Sequence, residues 1–239
     1  WSAPLQNLPA STLLTFALWS LSACVALDLA TEQRTMANSQ APFGFVQFGL
    51  MSQTAPTMGM DKFLLLSSDT GTYFTGDPVA LSTTNAGYLT LPGTGNVTIL
   101  GIFQGCEYYD ASVNKITWNS YFPASVGSSS PVTAYVITDP SVTWLAQTST
   151  QSVLGSTNIG MNIGWSSASQ ANGNTLSGRS AVLLNSTSLT ANASEPFRIV
   201  DIYQSYAPPG VNGVSTDAGC FLVVKGNNWA RNITTGQST

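Results

Sequence analysis

From Phe43 onward the apolar residues of this chain come in short runs rich in β-branched and aromatic side chains, and clusters of turn formers separate one run from the next. That is the signature of strands joined by turns, and no stretch with a helical hydrophobic period competes with it. The expected strands are Phe43 to Phe48, Phe63 to Ser67, Tyr88 to Leu91, Val97 to Phe103, Lys115 to Trp118, Val132 to Thr138, Val142 to Gln147, Ser180 to Leu184, Phe197 to Tyr203 and Cys220 to Lys225. Between them Gly76-Asp-Pro78, Pro92-Gly93, Asp139-Pro140, Asn172-Gly173, Pro208-Pro-Gly210 and Asn212-Gly213 supply the fixed φ of proline and the positive φ open to Gly or Asn. About ten strands in succession without crossover helices predict an all-β fold, an antiparallel β-sandwich or β-barrel, and exclude a doubly wound nucleotide-binding architecture.

Within these runs the order of residues predicts faces. Val142, Trp144 and Ala146 alternate with Thr143, Leu145 and Gln147, as a strand with one dry face requires, so Trp144 is expected in the core. Phe197 to Tyr203 is apolar on parts of both faces and is expected to be central in its sheet. Between Gly155 and Gly178 the chain is mostly Ser, Thr, Asn, Gly and Gln around Ile159, Ile163 and Trp165, which predicts a long polar excursion.

At 239 residues and 43% hydrophobic the chain can bury a core without staples. Charge is the unusual quantity: only 8% of residues are charged, and from Ile116 to Gly178 the single ionisable carboxylate or base is Asp139. An average soluble domain carries roughly 25%. Two readings of so neutral a surface stand side by side: a particle-bound or extracellular protein that tolerates few charges, and a surface that neighbours cover. The seven Lys and Arg residues are scattered singly in a chain of net charge -4, so no basic patch exists to displace counterions from DNA or RNA. Cys24, Cys106 and Cys220 match no zinc spacing; they read as small buried thiols, with a bridge between Cys106 and Cys220 open if the fold brings them together.

Catalysis fails on inventory. The chain has no histidine, so neither a Ser-His-Asp nor a Cys-His arrangement can be assembled. Glu107 and Asp110 bracket two tyrosines like a glycosidase carboxylate pair, but three apart in a strand-and-turn region they are expected to face solvent. No calcium loop is present, and the Gly-x-Gly of Pro92-Gly-Thr-Gly-Asn-Val97 lacks the third glycine and following helix of a phosphate cradle, so it reads as a hairpin turn. The Asn-x-Ser/Thr sequences at Asn96, Asn185, Asn192 and Asn232 are expected by chance in so Ser-, Thr- and Asn-rich a chain. The remaining signal is aromatic: Tyr108, Tyr109, Trp118, Tyr121 and Phe122 fall within 15 residues, around a supposed turn at Gly105-Cys106. They are the candidate interface, since Tyr and Trp dominate contact energies, with a sheet core and a sugar-stacking platform as the other readings.

The stretch Gly101-Ile-Phe-Gln-Gly-Cys-Glu-Tyr-Tyr-Asp110, then Trp118-Asn-Ser-Tyr-Phe-Pro-Ala124 and Ala134-Tyr-Val-Ile-Thr-Asp-Pro140 with Trp144 beyond, resembles the head decoration, or cement, proteins of tailed bacteriophages. Further segments continue the resemblance in the same order: Met36 to Gly44, Phe74-Thr-Gly-Asp-Pro78, Pro196 to Asp201, Tyr206 to Gly213 and Asn228-Trp-Ala-Arg231. It covers roughly residues 36 to 233. What the resemblance implies is a structural protein of the virion, bound to the outer surface of the capsid through the major capsid protein, as a homotrimer near local threefold positions, with no cofactor, nucleic acid or membrane as partner. The rival reading is a bacterial surface lipoprotein or secreted β-sandwich adhesin; a glycan-processing enzyme is the third.

On this basis residues 36–239 are expected to form a single β-rich domain, with residues 1–35 outside the fold. The apolar run Leu13 to Leu27 is too short and too interrupted by serines for a membrane span. Leu21-Ser-Ala-Cys24 has the form of a lipoprotein cleavage site that would lipidate Cys24, yet no basic residue precedes the run. The reading preferred for this segment is upstream sequence read in frame before a start at Met36, with an export signal and an N-terminal arm as alternatives.

Overall fold

A computed structural model describes residues 41–51, 59–93, 98–127, 132–149, 154–166, 173–203 and 219–232. All of them fall in the larger of the chain's two compact units, Ala37–Thr239; the other, Trp1–Met36, lies outside the described residues. The regular structure is β1 (Val46–Leu50), β2 (Asp61–Leu65), β3 (Tyr73–Phe74), β4 (Pro78–Leu81), β5 (Leu89–Thr90), β6 (Gly101–Asp110), β7 (Lys115–Asn119), β8 (Tyr121–Phe122), β9 (Val132–Ile137), β10 (Val142–Gln147), β11 (Asn162–Ile163), β12 (Phe197–Ile202) and β13 (Phe221–Gly226), with one short 3-10 turn at Ser156–Asn158. No α-helix occurs among the described residues, and every strand pair is antiparallel.

Two antiparallel sheets carry the all-β fold, and one of them is barrel-like. The order β2-β9-β6-β4-β5, with β7 added beside β6, curls until Leu64 bridges Tyr88 and the sheet nearly closes into a barrel. The order β1-β10-β13-β12-β11 makes an open sheet, and β3 pairs with β8 in a separate ribbon. Alternation along β9 explains how the sheets meet. Val132, Ala134 and Val136 point into the barrel with Leu65, Phe103 and Cys106, forming one core. Ile137 points the other way and joins Ile102, Trp144, Phe197 and Leu222 in a second core beneath the open sheet. Trp229 ties this core to the barrel strands, because its indole N–H donates to the Thr138 carbonyl at 2.8 Å.

Several expectations need correction. Val142 to Gln147 is a strand end to end and Trp144 is fully buried, but Thr143 and Gln147 on the opposite face are buried as well. That face stays satisfied because the Gln147 amide donates to the Gly219 carbonyl at 3.1 Å and accepts from Ala41 N–H at 3.0 Å. In β12 a bulge between Ile199 and Asp201 resets the alternation, so Ile202 is buried and Asp201 exposed, and the strand lies inside its sheet beside the central β13. Ser180 to Leu184 is not a strand. Its backbone crosses from one layer to the other: Ser180 N–H donates to Thr75, Leu184 N–H donates to Gln147, the Leu183 and Leu184 carbonyls accept from Ser166 and Ser149, and the Ser180 hydroxyl accepts from Val182 N–H. The excursion from Gly155 is partly ordered into the open sheet, since Asn162 and Ile163 pair with Arg198 and Phe197. The turns expected at Pro208-Pro-Gly210 and Asn212-Gly213 lie outside the described residues.

Candidate functional site

The decisive local feature is at Gly105. The expected Gly-Cys turn is instead a bulge inside the ten-residue β6, where the register shifts between Phe103 and Gly105. Gly105 has φ +151°, and a Cβ there would sit 2.7 Å from Cζ2 of Trp118. Glycine thus serves twice: it permits the bulge and lets the indole lie directly on the sheet. The following hairpin reverses at Ala111 to Asn114, with Asp110 accepting from the Ser112 N–H at 2.8 Å and the Ser112 hydroxyl at 2.6 Å. Those bonds hold the Asp110 carboxyl below the ordinary carboxylate range. Asn114 closes the turn at φ 53° and accepts from the Tyr109 hydroxyl.

Cross-strand register separates the aromatic cluster into two groups. Glu107 is opposite Trp118 and Tyr109 opposite Ile116, all on the outer face of the barrel sheet. Tyr108 lies on the inner face, edge-on to Phe122 with ring centroids 6.5 Å apart. Phe122 is fully buried and also meets Tyr73, so it is a core residue and not the surface anchor expected of it. Tyr121 is half-buried on β8, stacked on Phe74 at 5.7 Å. Of the five candidates, Trp118 and Tyr109 alone remain on the outer face. Their sequence proximity reflected a hairpin, whose two faces have unlike fates.

The outer face is wider than the cluster suggested. Across β6, Glu107 neighbours Thr133 and Gly105 neighbours Tyr135; across β9, Thr133 neighbours Leu64 and Tyr135 neighbours Lys62. A four-strand surface results, with Ile116 and Trp118 at one side, Glu107 and Tyr109 next, Tyr135 beyond, and Leu64 and Lys62 at the other side. Ile116 is 72% exposed and Trp118 58%, large values for such side chains in a sheet, and Leu64 is exposed too. Ile102 and Ile137 of this face are buried in the core beneath the open sheet, Glu107, Tyr109 and Tyr135 are half-buried, and Leu64, Ile116 and Trp118 are exposed. Lys62 places its ammonium 5.5 Å from the Tyr135 ring centre, and the Glu107 carboxylate has no hydrogen-bond or ion-pair partner among the described residues. Ile116, Tyr135, Leu64 and Lys62 were missed in sequence. The alternation of Val132-Thr-Ala-Tyr-Val-Ile137 carried a signal for Tyr135, though not for whether its face was covered.

Glu107 and Asp110, three apart in one strand, lie on opposite faces and do not converge. Cys106 and Cys220 are free thiols buried in different cores, and burial pushes Cys106 up to about 12. Among the described residues no group of His, Cys, Asp or Glu could hold a metal ion, and no helix is long and apolar enough to cross a membrane.

Fold and surface together define an all-β protein of two stacked sheets, one barrel-like, with a bare aromatic sheet face. No family model, no curated protein and no solved structure matches this chain.

Proposed function

We propose that the protein is a structural component of a tailed-phage virion, a decoration protein that binds the outer surface of the capsid and stabilises the shell without catalysis of its own. The ordered series of segments from Met36 to Arg231 that resemble such proteins carries this reading. An all-β body with few charges and a bare aromatic face supports it, since such a surface is suited to burial against neighbours. The physical logic is linkage: a subunit that binds only the mature shell stabilises it by mass action, and many modest contacts sum over the particle.

Contacts built from Ser, Thr, Asn and aromatic groups weaken little with salt, whereas ion-pair steering is screened over about 8 Å at physiological ionic strength. The test is to strip or delete the protein from heads, add it back, and measure occupancy and rupture temperature at low and high salt. Restored rupture temperature with salt-tolerant occupancy is expected. Heads that rupture at the same temperature without the protein, or protein that ignores heads and labels bacterial envelopes, would replace this reading with the surface-lipoprotein or adhesin one.

A further inference from the structure

The bare outer face has two unlike halves. At the β7 side Ile116 and Trp118 flank the unpaired Glu107; at the β2 side Leu64 lies beside Lys62 over the Tyr135 ring. Lys62 and Glu107 stand on strands separated by β9 and are two residues out of register, so their backbones are roughly 12 Å apart, counting two strand spacings and two residues along. They form no ion pair with each other, and Arg231 to Asp61 is the one salt bridge among the described residues. Each half therefore offers an apolar group and one charge, and the charges are opposite. We infer that this face is the contact between copies of the chain, with the Lys62 and Leu64 half of one copy seated on the Glu107 and Trp118 half of another.

Charge complementarity favours a second copy over an unrelated partner, because one face supplies both members of the pair, and a symmetric contact satisfies the Lys62 and Glu107 of every copy. The energetic centre is Trp118. Its ring lies against Gly105 with more than half of its surface exposed, and an exposed indole seated on a sheet is the usual anchor of such a contact. The inference deepens the decoration reading and rests on it only in taking the face to be an interface.

The experiment needs no phage: sedimentation equilibrium and native mass spectrometry on the full chain, wild type beside Glu107→Lys, Lys62→Glu, the double reversal and Trp118→Thr. The wild type is expected to associate. Each single reversal sets like charges against each other and should weaken association at least about tenfold, and the double reversal should restore it to within about threefold. Trp118→Thr replaces the indole with a β-branched strand former and should weaken association roughly thirtyfold. Thermal unfolding of each variant at a concentration where all are monomeric, expected to match, separates loss of contact from loss of fold. A wild type that stays monomeric at every concentration overturns the inference, as does association indifferent to both reversals. If that monomer still binds heads and they shield Trp118 from a fluorescence quencher, coat protein occupies the face; the inference then falls while the decoration reading stands. Association that obeys the charge swap in a protein that ignores heads leaves the inference standing and removes the reading.

Discussion

Asp77→Asn should make the protein more stable in alkaline solution and leave it unchanged in acid. Asp77 is fully buried where the turn before β4 meets the crossing segment at Ser180. Its carboxyl accepts from Phe74 N–H at 2.8 Å and from the Ser180 hydroxyl at 2.6 Å, and no cation among the described residues is paired with it. Burial pushes its pKa up from 3.8 to about 7, outweighing the two hydrogen bonds that pull it down. The difference, at about 1.4 kcal/mol per pH unit, corresponds to about 4 kcal/mol. Because the folded pKa is the higher one, the folded state holds a proton that the unfolded chain has released. Stability therefore declines as pH rises from near 4 through 7, and the whole penalty is in force above about pH 8. Asparagine has nearly the shape of the neutral acid; its oxygen can accept from Phe74 and its amide can donate to Ser180. Urea unfolding followed by tryptophan fluorescence at several pH values, wild type beside variant, measures the gap. It should be close to zero below about pH 4 and grow to about 4 kcal/mol in favour of the variant by about pH 8. A gap independent of pH, or a variant less stable throughout, would show that the buried charge has compensation this geometry does not contain.

Trp144→Ala should cost roughly 3 to 5 kcal/mol in denaturant unfolding, the range for emptying a large aromatic site; Trp144→Phe should cost much less, because the buried indole N–H has no hydrogen-bond partner among the described residues. Gly226→Ala should destabilise by about 1 to 3 kcal/mol or more by overpacking, since its Cβ would fall 2.2 Å from Cε3 of the buried Trp229. Ala124 sits at φ 65° ahead of Ser125 at φ 41°, so Ala124→Gly should be neutral or raise stability by up to about 1 kcal/mol, read as a small upward shift in melting temperature.

Much of the fold is legible in the sequence because period-two alternation and turn chemistry are local. Val142 to Gln147 has its observed bounds, and most other strands both expected and found differ at their ends, but Val97 to Phe103 overlaps β6 only at residues 101–103, because that strand runs on through the expected turn to Asp110. The two-residue strands Tyr73–Phe74, Tyr121–Phe122 and Asn162–Ile163 were not legible, since so short a segment shows no period and exists only through its partner. The bulges at Gly105 and between Ile199 and Asp201 were equally hidden. One extra residue inverts the face of everything after it, and no local pattern announces the insertion.

The aromatic cluster shows where local information ends. Sequence alone brought Tyr108, Tyr109, Trp118, Tyr121 and Phe122 to attention, but closure of the barrel decided that Phe122 is core and Trp118 is surface. β9 makes the same division within one strand: Thr133, Tyr135 and Ile137 share a face, yet Ile137 is buried under the open sheet while Tyr135 lies on the bare surface. Alternation determines which residues share a face. Whether that face is covered depends on strands brought against it from far along the chain, and only the tertiary packing contains that information.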